Sequence, residues 1–184
     1  VPSMRRSICM QPDTRRPLNS CRSAAASTRR SAWAENNCGP IFRAAPDREW
    51  ADSWVGAGAV PLPPCDSRYL AIIHTGHRDA DGRRLYTLDA LVLNMNKFDV
   101  RHPERVVESR LDRMMIPQTR WELEGPYPDS VGNVLFSCGA FERDGDIYIV
   151  YGGGDTYVMA AKINKAELLA AMVPVVDGVH ILSR

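Results

Sequence analysis

Long apolar runs are missing from these 184 residues, and nothing approaches the length of a membrane-spanning helix. Paired cysteines are missing too. The five cysteines (Cys9, Cys21, Cys38, Cys65, Cys138) are odd in number and show no CxxC spacing, which argues against a zinc site and against a disulfide framework. Cys138 sits in an apolar stretch and is expected to be a small buried hydrophobe. Acid is scarce at one end. Residues 1–33 hold seven Arg and a single Asp, so most of the acid lies beyond them although the whole chain carries only +1. That near balance, with 45% hydrophobic residues, gives no sign of disorder throughout or of a nucleic-acid partner.

The scarcities divide the chain at residue 33. Residues 1–32 are rich in Arg, Ser, Ala and Pro, have no periodicity and cannot bury a core, so a disordered tail or non-native segment is expected there. An organelle transit peptide has the same composition, but a solvated tail is preferred, and no aromatics interleave the arginines as in a nucleic-acid arm. Residues 33–184 are long enough for one domain with a core.

From Trp33 the pattern is that of short strands and tight turns. Residues 68–74 (RYLAIIH) and 84–94 (RLYTLDALVLN) form an expected hairpin about an Asp-Gly turn. Pro61, Pro63 and Pro64 exclude a helix and a central strand just before it. Residues 94–112 read as a polar, irregular connection, and Met114 and Met115 as packing residues. Residues 133–164 read as three strands. Gly152, Gly153 and Gly154 are expected to bend the backbone sharply, with Asp155 directly after them. Residues 166–172 form an expected short helix with Asn164 as N-cap and Glu167 at the capping-box position, and residues 179–182 an expected last strand. The repeated strand–turn–strand unit points to propeller blades and an all-β class.

Two residues draw a chemical reading. Asp155 is either a carboxylate presented to a ligand or a turn residue bonding its own backbone. His74, at an expected strand end, reads from its surroundings as a satisfied structural histidine. His77 follows three residues on, but no carboxylate or Cys at ligand spacing supports a metal, and none is expected.

The wording of these stretches resembles glycoside hydrolase family 130, the β-mannoside phosphorylases and their hydrolytic relatives. VGNVLFSCGAF, DGDIYIVYGGGDTYV and AAKINKAELLAAM are similar to that family's C-terminal "VPNVVFPCGA", "YYGAADT" and "LDELL". Trp50, Val55, Gly56, Ala57, Gly58 and His74 fall on its "WESVKVGAGPPPI…GWLLIYHG". Gly132 replaces its Pro, and Gly153 and Gly154 its two alanines. The resemblance implies part of a five-bladed β-propeller, namely its C-terminal blades, and inverting cleavage of β-mannosides by phosphorolysis or hydrolysis. It makes Asp155, Gly154 and Gly58 substrate-binding residues and His74 a phosphate-binding one. It implies no catalytic residue in this chain, because the family's general-acid Asp lies in a half with no counterpart before Trp33. Inorganic phosphate is the implied co-substrate, with no cofactor. A β-mannoside or manno-oligosaccharide is the implied partner, without nucleic acid or membrane. A homo-oligomer and a cytoplasmic location are further expectations. Trp54 stands where the phosphorylases carry a phosphate-binding Lys, which favours water as nucleophile. A non-catalytic carbohydrate-binding or scaffold fragment is the alternative.

Overall fold

The computed structural model describes residues 40–43, 50–126 and 131–175, all within Cys38–Arg184. The expectations for residues 1–32, the boundary at Trp33 and the strand at 179–182 lie outside the described residues.

The described part is all-β with few helical turns. Strands β1 (Asp52–Gly56), β2 (Leu62–Cys65), β3 (Arg68–Arg78), β4 (Arg84–Asn94), β5 (Val107–Met115) and β9 (Val173–Pro174) make one sheet in the order β1-β3-β4-β5-β9, with β2 pairing the same edge of β3 as β1. Strands β6 (Leu135–Arg143), β7 (Asp146–Gly153) and β8 (Tyr157–Asn164) make a three-stranded antiparallel sheet. Two short helices complete it, α1 (Arg120–Leu123) before β6 and α2 (Lys165–Ala171) after β8.

Alternation explains the arrangement. Leu70, Ile72, Leu88, Ala90 and Val92 lie on one face of the larger sheet, and Leu135, Ile147, Ile149 and Tyr151 on one face of the smaller. The two faces form one core, joined by Leu168 of α2. Leu88, Leu135 and Ile147 are fully buried, each contributing about 1.5–3 kcal/mol over an exposed position. The opposite face of the larger sheet carries a second cluster, Ala71, Ile73, Leu91, Val106 and Val107. Met114 and Met115 pack against the first core, as expected.

Four details differ from the sequence expectations. Strand β5 begins at Val107, inside the stretch expected to be irregular. Its Glu108, Arg110 and Asp112 disguise it, but Arg110 is buried and its Nη2 pairs with Asp112 Oδ2 at 3.2 Å. Cys138 is exposed rather than buried. Ser137 pairs with Tyr151 and Gly139 with Val150, so Cys138 is the extra residue of a β-bulge. Helix α2 is N-capped as expected by Asn164 Oδ1, which accepts the Ala166 and Glu167 N–H groups, but it runs Lys165–Ala171, one residue earlier at each end than expected. Gly152 and Gly153 belong to β7, so the chain reverses only at Gly154 and Asp155.

Candidate functional site

His74 lies on the face of β3 that meets the smaller sheet, paired with Gly56 of β1. A Cβ on Gly56 would collide with the His74 ring, so the glycine makes room for it. The ring is 4.3 Å from the Phe136 ring and 6.3 Å from that of Tyr86. It hydrogen-bonds the Ala57 backbone carbonyl, and its Nδ1 is buried without a hydrogen-bond partner. Burial holds the His74 pKa below its ordinary value, with the Ala57 bond and the Asp89 charge opposing that shift. The ring is therefore neutral at neutral pH.

Trp54 repeats the arrangement one pair along. It faces Gly76, and a Cβ there would collide with the indole. The ring sits edge-on to Tyr86 at 5.4 Å, with the Arg78 guanidinium 5.5 Å from its centroid. His77 points to the other face of β3, where it stacks on Trp50 at 5.0 Å and its Nδ1 meets Ser53 Oγ at 2.9 Å. Strand alternation thus keeps His74 and His77 from acting together.

Gly58 lies where β1 has left the edge of β3. A Cβ there would meet the Ile72 carbonyl and lie 3.1 Å from Ser137 Cβ, while the adjacent Ala59 N–H donates to Ser137 Oγ at 3.3 Å. Gly58 therefore has a packing reason of its own, the close approach of the loop to β6.

Gly154 and Asp155 form the reversal between β7 and β8. Their φ values of 54° and 55°, with the Thr156 N–H donating to the Gly153 carbonyl at 3.1 Å, make a β-turn of the primed type within the three-residue loop between the paired Gly153 and Tyr157. Asp155 is exposed. The Gly154 N–H donates to the Val134 carbonyl at 3.1 Å, and the Tyr86 N–H to the Asn133 carbonyl at 2.8 Å. Asn133 is also left-handed, at φ 59°. Asn133 and Asp155 are thus two non-glycine left-handed residues brought close together by the Gly154–Val134 bond.

All four expected site residues therefore border the start of β6. His74 touches Phe136, Gly58 packs on Ser137, and the Gly154–Asp155 turn is tied to Val134 beside Leu135. Phe136, Tyr86 and Asn133 were not singled out from sequence. Their signal was weak: an aromatic in an apolar run reads as core, and a left-handed Asn leaves no mark of its own.

Two antiparallel sheets sharing one core, with a buried histidine and an exposed carboxylate turn at one strand start, define an all-β domain. The chain belongs to the glycoside hydrolase 130 family, described as β-1,4-mannooligosaccharide phosphorylase, which matches residues 27–173. It is 33% identical over 129 residues to a 1,2-β-oligomannan phosphorylase of Thermoanaerobacter sp. (strain X514), covering 70% of this chain and 38% of that protein. It is 29% identical over 119 residues to a β-1,2-mannobiose phosphorylase of the same organism, covering 65% and 35%. Among solved structures it is similar to the β-1,2-mannobiose phosphorylase of Listeria innocua in complex with β-1,2-mannobiose, with a TM-score of 0.48 and 25% identity over 64% of this chain and 29% of that one. The chain thus spans little more than a third of the curated relatives it matches. Among the described residues no helix is long and apolar enough to cross a membrane.

Proposed function

We propose that this chain is the sugar- and phosphate-holding part of a five-bladed β-propeller that cleaves β-mannosides with inversion. Asp155 and Gly154 hold the mannosyl unit, the loop at Gly58 shapes the same wall, and His74 faces the nucleophile. The observation that carries the reading is the convergence of these residues on the start of β6 in a member of this family. Inversion requires a carboxylic acid on one side of the sugar and room for the nucleophile on the other. In this reading no residue of this chain supplies the acid. No cofactor takes part, and inorganic phosphate or water attacks the anomeric carbon.

Trp54 favours water. An indole offers one N–H donor, and here the ring lies on Gly76 against Tyr86. Replacing a Lys contact to phosphate by none removes about 1.5–3 kcal/mol, roughly a 10- to 150-fold loss of phosphate affinity.

The test separates binding from turnover. The chain is titrated with β-1,2-mannobiose by saturation-transfer NMR and assayed for mannose and mannose 1-phosphate with and without phosphate. Binding without turnover is expected, and Asp155→Asn should abolish the binding. Turnover above a blank would overturn the assignment of the acid elsewhere. Equal binding by Asp155→Asn would leave Asp155 a turn residue and favour the scaffold alternative.

A further inference from the structure

Glu122 is a carboxylate that no sequence expectation singled out. It is buried in α1, and both of its oxygens are used. Oε2 accepts the backbone N–H groups of Gln118 at 2.8 Å and Thr119 at 2.7 Å. Oε1 accepts the hydroxyl of Tyr151, in β7, at 2.7 Å. The backbone of the same residue continues the path. The Glu122 carbonyl accepts the Val134 N–H at 3.1 Å, and the Val134 carbonyl accepts the Gly154 N–H at 3.1 Å.

These bonds close a ring. It runs from the Tyr151 side chain through Glu122 and Val134 to Gly154, and back along β7. α1 is pressed against the base of the turn. A Cβ on Gly154 would lie 2.6 Å from the Trp121 carbonyl and 2.5 Å from that of Glu124. A capping box for α1 needs only one carboxylate oxygen on the helix N-terminus. The second oxygen goes instead to the strand that ends in the Asp155 turn, as a charge-assisted bond. A hairpin turn held by its own single hydrogen bond is free to rock about the end of its strands. The ring removes that freedom.

We propose that Glu122 and Tyr151 are positioning residues that clamp the turn carrying Asp155 in the orientation that holds sugar. This rests on the reading of Asp155 as a sugar ligand. The clamp acts through backbone, so its signature is local: the Gly154 amide is protected for as long as the Tyr151–Glu122 bond is made.

Tyr151→Phe removes only the hydroxyl and keeps the ring in the core. Amide hydrogen exchange is read residue by residue by NMR on the full chain. The Gly154 amide is expected to exchange about tenfold or more faster, while the amides of Ile147 and Ile149 keep their rates. β-1,2-Mannobiose affinity should fall in the same variant with Asp155 intact, and Glu122→Gln should fall between wild type and Glu122→Ala. An unchanged Gly154 rate overturns the clamp, and so does a uniform rise at all core amides. Faster Gly154 exchange with unchanged mannobiose affinity overturns the positioning role. If Asp155→Asn alone leaves mannobiose binding unchanged, the sugar reading fails while the exchange result still decides the clamp.

Discussion

Gly154 and Gly152 are two residues apart and have opposite tolerances. Gly154 has φ 54° and the carbonyls of Glu124 and Trp121 within 2.6 Å of where a Cβ would stand, whereas Gly152 has nothing closer than 3.9 Å. Gly154→Ala meets both a left-handed backbone and immovable carbonyl groups, and is expected to cost about 2 kcal/mol or more. Gly152→Ala should lie within about 0.5 kcal/mol of wild type. Urea midpoints of the two variants decide it, and equal midpoints would refute the account. His74 makes a second residue-scale prediction. Burial lowers its pKa, so it charges only below its ordinary value of about 6.5. Phosphate affinity, read by calorimetry, should be low at neutral pH and rise as pH falls below that value. The lowered pKa also means that the stability gained by burying the neutral ring is lost as pH falls through it. A phosphate affinity that stays flat from neutral to mildly acid pH would exclude His74 as a charged ligand.

Two buried carboxylates, one on a strand and one on a helix, respond oppositely to pH. Asp89 of β4 accepts the hydroxyls of Thr75 and Thr87 and the Arg113 N–H, and it faces Asp112. Desolvation nonetheless dominates and raises its pKa. Its contribution is therefore complete below about pH 4 and is lost as pH rises through the raised value. Asp89→Asn should gain stability relative to wild type between about pH 4 and pH 7. Glu122 is held below its ordinary range by the N–H groups of Thr119 and Gln118 and the Tyr151 hydroxyl, against the cost of burial. Its contribution is present above about pH 4 and is lost as pH falls through the lowered value. Chemical denaturation at several pH values separates the two, and parallel curves for Asp89→Asn and wild type would contradict the assignment. Elements also mark how far the sequence could be read. The hairpin of β3 and β4 and the three strands of the smaller sheet were legible because their apolar residues alternate or run unbroken between Asp-Gly turns. Pro63 and Pro64 rightly kept β2 at an edge. β5 was hidden because Arg110 and Asp112 pair with each other within the fold, a pairing that no local pattern announces. Cys138 was misread because a bulge moves one residue out of register without altering composition. The roles expected of Asp155 and His74 rested on family wording, with the glycine run at 152–154 adding weight only at Asp155. Glu122 drew no reading of its own, since only the fold brings Tyr151 to it.

At the scale of the molecule, the described residues leave strand edges open. Among the described residues β8 pairs only with β7, and Val158 on it is 86% exposed. Such an edge accepts further strands. The chain is expected to self-associate, and Val158→Lys should shift sedimentation velocity toward the monomer, whereas a wild type that already runs as a monomer would refute this. The smaller sheet also has three strands, and the relatives that share these motifs are far longer. The β-propeller reading thus looks to more chain than these residues for closure.

The crossed pairs Trp54–Gly76 and His74–Gly56 have a consequence for any attempt to redirect the reaction proposed above. Each ring occupies the space that its partner's missing side chain leaves open. Trp54→Lys is the obvious way to invite phosphate, yet it also strips the cover from Gly76 and removes the edge that Tyr86 packs against. A change of nucleophile here is therefore a two-codon problem. The lysine needs a companion substitution at position 76 with enough bulk to refill the hollow, and lineages that use phosphate should differ from this chain at both positions together.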